Sequence, residues 1–383
     1  MHVFHVITTL NKGGAESHLV DLCRSMRQRG VEITVAYLKG DGYWAAELAK
    51  LGVAVVALET KRYADLAAIY RLRRAIVASQ PDIVHAHMPP AELYAVLALR
   101  GLPEVRLVTS KHNDQEPFYR GPGASLLERH CAGRAHSMIA ISNAVQSYFA
   151  ASWPERLARK LVTIRYGISP TSGGDAAIAS PRALREEWQI KEGEVLFGIV
   201  ARLVEQKSIS TLLQAFALLR DSTSAPVKLV VVGRGPLESE LRGLAGDLGL
   251  SDAVVWAGFR TDVATVMRSL DVFVLSSVYE GFGLVLLEAM EASLPIVASR
   301  VSAIPEIVVE GKTGCLVPSR DAQALATAMA SMLNEEDRHR MGKSGHDRLL
   351  SDFAVDRMVD ETFSVYQSVL EGGRTATGVA HDH

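Results

Sequence analysis

Short runs of apolar, often β-branched residues alternate with longer amphipathic stretches along the first part of the chain. The runs occupy residues 3–8, 32–38, 53–58, 82–87, 106–110 and 137–142. Each run has the length of a buried strand, and the stretches between the runs are long enough for helices. This alternation predicts a parallel sheet with helices on both faces.

The alternation starts again after a stretch rich in Ser, Gly, Pro and Ala between Ile168 and Pro181. Apolar runs at 195–201, 227–233, 253–258, 271–277 and 294–299 predict a second doubly wound unit. The predicted domains are 1–170, a linker at 171–194, a second domain at 195–353, a helix at 354–371 that crosses back to the first domain, and a flexible tail at 372–383. In this architecture ligands bind at the carboxyl ends of the strands, so we expect a cleft there.

The strongest candidate site is the segment SSVYEGFGLVLLEAM at 276–290. A strand ends before a loop that carries Glu280, and a helix starts near Gly283 and carries Glu288. Glycine lets a ligand approach the backbone, and the N–H groups of a helix N-terminus suit a phosphate. A carboxylate on a mostly apolar helix needs donors, and the two hydroxyls of a ribose would serve Glu288.

A second candidate is GIVARLVEQKS at 198–208, where Arg202 ends a strand and Lys207 precedes a helix. Two cations beside a helix N-terminus can neutralise a diphosphate leaving group. Taken alone, Arg202 and Lys207 are each equally well explained as ordinary solvated side chains on the surface.

Three weaker candidates also follow predicted strands. Gly13 and Gly14 form a glycine turn before the first helix, and Gly233 and Arg234 form a turn that resembles a phosphate loop. His112 follows a strand of the first domain. Each has an ordinary structural alternative, namely a packed turn or a core histidine.

Together these residues resemble glycosyltransferase family 4. The resemblance covers nearly the whole chain and rests on Glu280 and Glu288 spaced as E-x7-E, Arg202 with Lys207, the Gly13–Gly14 turn and the turn at 166–168. It implies the GT-B fold of two Rossmann-like domains that face a cleft, and a metal-independent, retaining transfer of a sugar from a nucleotide diphosphate sugar of the UDP or GDP type.

The resemblance also implies a role for each residue. Arg202 and Lys207 would bind the diphosphate, and Glu288 would bind the ribose. Glu280 and His112 would lie by the transferred sugar. The remaining donor-binding positions are Gly13, Gly14, Gly233, Arg234, Phe282, Gly283 and Leu284. No metal ligand and no cofactor is expected. Ser208 departs from the family, which often has glycine there, and we expect it to act as a helix N-cap.

Charge and composition limit the possible partners. The formal net charge of -2 does not suggest a nucleic-acid-binding protein, but residues 1–180 carry a net charge of +6 and the remainder -8. The stretch 58–76 is basic and amphipathic, so its domain could contact an anionic membrane surface; the alternative is a helix packed on its own sheet. Three distant cysteines and the absence of a leader favour the cytoplasm, with the inner membrane face as a possible contact.

The expected acceptor is a glycan or a lipid-linked intermediate, as in bacterial surface polysaccharide or glycolipid synthesis. A transferase for a small-molecule acceptor and a sugar-nucleotide epimerase are alternatives. A nicotinamide-dependent oxidoreductase would need a G-x-G-x-x-G turn after a strand, which the sequence lacks. A non-catalytic sugar-nucleotide-binding subunit would be expected to have lost some of the charged donor residues, which are all present.

Overall fold

The computed structural model describes residues 1–61, 65–113, 123–169 and 180–377. The chain divides into two compact units, one of Met1–Ile168 with Ala354–His383 and one of Ser169–Phe353. Each unit contains one sheet in which all paired strands are parallel. The prediction of two α/β units is confirmed.

The first unit has a seven-stranded sheet in the order β3-β2-β1-β4-β5-β6-β7. Its elements in chain order are β1 (His2–Thr9), α1 (Gly14–Gln28), β2 (Glu32–Lys39), α2 (Ala45–Lys50), β3 (Ala54–Ala57), α3 (Leu66–Ser79), β4 (Ile83–His87), α4 (Pro89–Ala98), β5 (Arg106–Lys111), α5 (Ala124–Arg134), β6 (Ser137–Ala140), α6 (Asn143–Ser152), α7 (Glu155–Ala158) and β7 (Leu161–Thr163).

The second unit has a six-stranded sheet in the order β10-β9-β8-β11-β12-β13. Its elements are α8 (Pro181–Glu187), β8 (Val195–Val200), α9 (Ile209–Ser222), β9 (Val227–Val232), α10 (Glu238–Asp247), β10 (Val254–Gly258), α11 (Val263–Ser269), β11 (Val272–Leu275), α12 (Leu284–Glu291), β12 (Ile296–Ser299), α13 (Ile304–Ile307), β13 (Gly314–Val317), α14 (Ala322–Ser331) and α15 (Glu335–Asp352). A final helix, α16 (Val355–Thr377), belongs to the first unit.

The strand order of each sheet reverses at its first strand. β1 lies between β2 and β4, and β8 lies between β9 and β11. Such a reversal opens a crevice at the carboxyl ends of the two central strands, which is where doubly wound sheets bind ligands. The candidate residues that follow β8 and β11 therefore lie at the switch point of the second sheet.

Two strands and one helix were not among the predicted elements. β7 and β13 are edge strands of three and four residues, too short to give a clear apolar run. Residues 180–194, predicted as linker, contain α8, whose Arg185 donates to the Ser269 carbonyl and to Asp271 at 3.0 Å. Residues 170–179 lie outside the described residues, and α16 continues through Thr377 into the predicted tail.

The two faces of the first sheet differ in chemistry. Side chains alternate between faces along a strand, so Phe4 and Val6 of β1 join an apolar cluster with residues of α3 and α4. His5 of β1 lies on the other face with His85 of β4, its register partner. His85 in turn accepts or donates a hydrogen bond to Tyr366 of α16 at 2.7 Å. One face is therefore an ordinary core, whereas the other buries a set of histidines.

Candidate functional site

Lys207 and Glu280 form an ion pair at the switch point of the second sheet. Lys207 ends a short 3-10 turn after β8, and Glu280 lies in the loop after β11. Their side chains are only 15% and 8% exposed, so the pair is poorly screened by solvent. Ser277 Oγ donates to the same carboxylate oxygen, Oε1, at 2.6 Å. Among the described residues, both contacts end on Oε1, which leaves Oε2 for another donor.

The two loops that carry this pair are joined by three further hydrogen bonds. Ser276 Oγ donates to the Lys207 carbonyl at 2.8 Å, and Val278 N donates to the Gln206 carbonyl at 2.8 Å. Gln206 Nε2 donates to the Tyr279 carbonyl at 3.0 Å. Because these three bonds join the two loops directly, they hold the Lys207 ammonium and the Glu280 carboxylate close together without the help of a ligand.

Arg202 differs from Lys207 in its surroundings. It follows β8, it is exposed, and within the described ranges its guanidinium has no ion-pair partner. The exposed guanidinium is thus available for a bidentate contact with a phosphate.

Ser208 does not cap α9 in the expected way. It is the N-cap residue, but its side chain bonds Thr211 Oγ1 at 2.9 Å and makes no hydrogen bond to a helical N–H. Its φ is 46°, in the left-handed region that favours glycine. The position therefore requires a left-handed backbone, and the serine adopts it under strain.

The segment 282–288 leads into α12 as predicted. Gly283 is the N-cap with a φ of 97°, and Leu284 begins the helix. Leu286 N donates to the Gly283 carbonyl at 2.9 Å, whereas the N–H groups of Leu284 and Val285 come too early in the helix to reach a carbonyl of the helix itself. Phe282 is buried and packs edge-on against Phe353. Glu288 is the fifth residue of α12 and is half-buried. The phosphate and ribose roles of this segment remain predictions.

The turn after β9 has a structural reason for its glycines. A Cβ on Gly233 would lie 1.9 Å from the Ala201 carbonyl oxygen, and one on Gly235 would lie 2.2 Å from that of Leu203. These backbones approach too closely for any side chain. The glycines therefore hold this turn against the loop after β8, while Arg234 beside them is exposed.

Gly13 and Gly14 begin α1 of the first unit. Gly13 is the N-cap in an extended conformation, with a φ of -174° that any residue could adopt, and both glycines are exposed. Glu16 lies in the first turn of α1 and accepts from Thr9 Oγ1 at 2.5 Å. This carboxylate interacts favourably with the positive end of the helix dipole, so it weakens the attraction of α1 for a phosphate.

Five buried histidines form what we call the histidine layer, on the face of the first sheet opposite its apolar core: His5, His18, His85, His87 and His112. His5 Nδ1 lies 3.0 Å from His87 Nε2, and His85 Nε2 lies 2.7 Å from Ser110 Oγ. Burial lowers the pKa of His5 to about 3, and burial together with the nearby Lys111 ammonium lowers the pKa of His112 to about 3. Burial, followed by repulsion from the neighbouring histidines, also holds the pKa of His18, His85 and His87 well below 6.5. All five rings are therefore neutral at neutral pH.

His112 lies at the end of β5 in this layer and is only 6% exposed. Its Nδ1 is hydrogen-bonded to the hydroxyl of Tyr166, whose ring stacks on His18 with centroids 3.8 Å apart. Next to it, Lys111 Nζ lies 2.6 Å from Glu92 Oε2 in an ion pair that is 0% and 1% exposed. The candidate catalytic histidine therefore belongs to a buried polar network.

Three members of the layer could hold a metal ion. Ligand nitrogens of His5, His85 and His87 all lie within 4.8 Å of one another. Both nitrogens of His85 already have hydrogen-bond partners, Tyr366 and Ser110, so a metal would have to displace one of them.

Sequence reasoning missed most of this layer. Only His112 was singled out, although His85 and His87 stand two residues apart in a predicted strand. That spacing places both on one face of a sheet. The place of His5 in the layer depends on the register between β1 and β4, and the contact of Tyr366 with His85 depends on where α16 packs. A local sequence pattern reveals neither.

The basic stretch at 58–76 is only partly a charged surface. Arg71 donates to the Leu58 carbonyl and Arg73 to the carbonyls of Ala98 and Arg100, so both guanidinium groups are engaged. Leu72 and Ile76 of α3 are buried in the apolar cluster of the first sheet, as expected for a helix packed on its own sheet, whereas Leu66 and Tyr70 are 78% and 62% exposed. Residues 62–64 lie outside the described residues. No helix among the described residues is both long enough and apolar enough to span a membrane.

Two family descriptions match the chain. Glycosyltransferase Family 4 matches residues 12–171, and Glycosyl transferases group 1 matches residues 181–348. The phosphatidyl-myo-inositol mannosyltransferase of Mycobacterium leprae is 30% identical over 375 residues, which cover 94% of each chain. The N-acetyl-alpha-D-glucosaminyl L-malate synthase of Bacillus anthracis is 32% identical over 188 residues, about half of each chain.

The fold is shared with solved structures. Anabaena Alr3699/HepE in complex with UDP and glucose matches with a TM-score of 0.83 and 22% identity over 96% of this chain and 100% of that chain. At this identity the likeness shows the fold alone, which is the GT-B fold with two parallel-sheet domains.

Proposed function

Since the chain belongs to glycosyltransferase family 4, we propose that it transfers a sugar from a nucleotide diphosphate sugar of the UDP or GDP type to a glycan or lipid-linked acceptor. The protein is a glycosyltransferase; the donor, the acceptor and the stereochemistry are the proposed part. The observation that carries the proposal is the Lys207–Glu280 pair at the switch point of the second sheet, with the exposed Arg202 in the same loop after β8.

In this proposal the cations bind the diphosphate. An ammonium has three donors, so Lys207 can keep its bond to Glu280 and still donate to phosphate oxygens. Arg202 adds the second positive charge. Cationic side chains stabilise the charge that develops on the leaving nucleotide diphosphate, so neither a metal nor another cofactor is required.

The carboxylates bind hydroxyl groups. Glu288, on α12, holds the ribose, and Glu280 accepts from a hydroxyl of the transferred sugar through Oε2. The N–H groups of Phe282, Gly283 and Leu284 bind the sugar or phosphate, and Gly233 with Arg234 contacts the nucleoside. In the first unit, Gly13 and Gly14 offer N–H groups to the diphosphate, and His112 forms a hydrogen bond with the transferred sugar.

We further propose that the reaction retains the anomeric configuration. The acceptor attacks on the face from which the nucleotide diphosphate leaves, and a phosphate oxygen takes the proton of the acceptor hydroxyl. The protein then needs no nucleophile, and its task is to hold the two substrates and stabilise the departing charge.

The acceptor is the least constrained part. The Mycobacterium leprae relative is named for a phospholipid acceptor, which supports a lipid-linked acceptor, whereas the Bacillus anthracis relative is named for L-malate, which supports a small molecule. We favour the lipid-linked or glycan acceptor, in surface polysaccharide or glycolipid synthesis, because the first relative matches along the whole chain.

Contact with an anionic membrane surface at the cytoplasmic face is part of the proposal. Exposed Leu66 and Tyr70, with Arg74 on the same side of α3, give an apolar and basic stripe. Co-sedimentation with vesicles of phosphatidylglycerol and phosphatidylcholine tests it. We expect binding that falls with the Leu66→Ser/Tyr70→Ser double variant; equal binding to purely zwitterionic vesicles would contradict the electrostatic part.

A donor screen tests the proposed reaction. The protein is incubated with UDP and GDP sugars, with and without candidate acceptors, and the released nucleotide diphosphate is measured. Transfer requires that release rises with acceptor, and proton NMR of the product reports whether the anomeric configuration is retained. Conversion of the donor to an isomer without release would instead indicate an epimerase.

A further inference from the structure

We propose that Tyr166 is a positioning residue for His112: its hydroxyl fixes the tautomer that carries the ring proton on Nε2, so that His112 donates a hydrogen bond to a substrate oxygen instead of acting as a base. The catalytic consequence rests on the proposed function, but the tautomer itself does not. The starting observation is the hydrogen bond between Tyr166 Oη and His112 Nδ1 in the buried layer.

The direction of this bond follows from the chemistry of the two groups. Burial, with a contribution from Glu16, raises the pKa of Tyr166 well above 10, and burial lowers that of His112 to about 3, so both are neutral. A phenol O–H is a stronger acid than an imidazole N–H, and the unprotonated imidazole nitrogen is the stronger base. The hydroxyl therefore donates to Nδ1, and the single ring proton stays on Nε2.

The geometry holds Tyr166 in place for this task. Tyr166 is 5% exposed, and its ring lies 3.8 Å from that of His18, which limits rotation of the phenol. Its neighbour Gly167 donates its N–H to Met358 Sδ at 3.4 Å, which ties the turn to α16. The hydroxyl is thus directed at Nδ1 by packing on two sides.

The far nitrogen of His112 is one of four in the histidine layer without a partner among the described residues, the others being His5 Nε2, His18 Nδ1 and His87 Nδ1, and His112 is the one of these four histidines that directly follows the carboxyl end of β5. Within the described residues, Nε2 is buried and has no hydrogen-bond partner. A buried N–H without an acceptor is unfavourable, and such groups in native proteins usually have a ligand, an ordered water or a catalytic task. An oxygen of the sugar or phosphate would satisfy it.

A second tyrosine–histidine pair in the same layer shows what a structural pair looks like. Tyr366 Oη lies 2.7 Å from His85 Nδ1, and the far nitrogen of His85 lies 2.7 Å from Ser110 Oγ. His85 is therefore satisfied at both ends by the protein. The two pairs differ in one respect: only His112 has its second nitrogen left for a ligand.

The first test is spectroscopic and independent of activity. Long-range proton–nitrogen correlation spectra of the ¹⁵N-histidine-labelled full chain distinguish the two neutral tautomers, and the His112→Gln variant assigns the signal of His112. We expect the Nε2–H form in the wild type and a mixed population in Tyr166→Phe. Tyr366→Phe, which removes the matched hydroxyl, should leave the His112 signal unchanged. A wild-type Nδ1–H form, or a Tyr166→Phe spectrum like the wild type, would overturn the proposal.

The second test is kinetic. Loss of one oriented hydrogen bond should lower kcat/KM of Tyr166→Phe by roughly 3- to 30-fold, while Tyr366→Phe stays within about twofold. The Gln amide can place an N–H near the position of Nε2, so His112→Gln should keep more activity than His112→Asn. Equal losses in both would contradict the donor role. If the wild type uses no sugar nucleotide, the proposed function fails, and the spectra still decide whether Tyr166 sets the tautomer.

Discussion

The two units bury polar chemistry in different ways. In the second unit, Lys207 and Glu280 are a charged pair at the rim of a switch point, held by loops that follow β8 and β11. In the first unit, the histidine layer is neutral and lies inside the fold, between the sheet and α16. The first arrangement is suited to an anionic ligand, whereas the second depends on staying unprotonated. The two units should therefore lose stability or activity under different conditions.

Low pH should produce the largest difference in stability between the two units. His5 and His112 have a pKa of about 3 in the fold against 6.5 in the unfolded chain. Their burial therefore leaves the free energy of unfolding undiminished only above about pH 6.5, where both rings are neutral in the unfolded chain as well. As pH falls below 6.5 the unfolded state binds more protons, and at pH 5 each histidine removes about 2 kcal/mol from the free energy of unfolding. We expect the first unit to lose at least about 4 kcal/mol and the second unit to change little.

Tryptophan fluorescence can follow each unit separately during urea unfolding. Trp44 and Trp153 lie in the first unit, and Trp188 and Trp256 lie in the second. Two reporter variants, each with one pair replaced by Phe, would give a midpoint for each unit at pH 7.5 and pH 5. Equal losses in both units would contradict the difference drawn between them.

Removing the ammonium should break the chemistry of the second unit without unfolding it. Lys207→Ala is expected to lower kcat/KM for transfer by about 100- to 1,000-fold, because it removes a charge that stabilises the leaving group. Glu288→Ala should lose most activity through weaker ribose binding. The exposed Lys312→Ala in the same unit is the matched control and should be unaffected. Near-normal transfer by both active-site variants, measured in a coupled nucleotide-release assay, would refute the site.

Ser208 offers a smaller test of the same loop. A left-handed non-glycine residue costs about 1 kcal/mol, so Ser208→Gly should stabilise the second unit by about that amount, less the lost bond to Thr211. Ser210→Gly, inside α9, should destabilise it by about 0.5–1 kcal/mol. Thermal unfolding of both variants gives the comparison; a destabilised Ser208→Gly would mean that its hydroxyl matters more than its backbone.

Chelation should have the smallest effect. If protein cations stabilise the diphosphate, transfer after dialysis against EDTA should equal transfer before it. Loss of transfer that returns with a divalent ion would show that a metal is needed, and His5, His85 and His87 would then be the first residues to replace.

The order of the units, every strand except the edge strands β7 and β13, and the segment 276–290 could be predicted because their signals are local. Apolar runs mark parallel strands, and a glycine next to charged residues marks a loop that leads into a helix. Even there the Lys207–Glu280 bond was not foreseen, since it joins loops separated by 73 positions.

The histidine layer could not be predicted in the same way. His5, His85 and Ser110 lie on three strands that are adjacent only in the folded sheet, and Tyr366 reaches them from the last helix. Each residue on its own resembles an ordinary core or surface position. Their common property, a shared face of one sheet, depends on register and topology, which local patterns do not encode.

In the proposed site, the second unit binds a nucleotide diphosphate through Lys207. Calorimetric titration of UDP and GDP into the wild type, Lys207→Ala and Lys312→Ala tests it directly. We predict that the wild type and Lys312→Ala bind at least one of the two nucleotides equally tightly, and that Lys207→Ala binds it about 10- to 100-fold more weakly. Undiminished affinity in Lys207→Ala, or no binding of either nucleotide to the wild type, would show that Lys207 does not hold a nucleotide diphosphate.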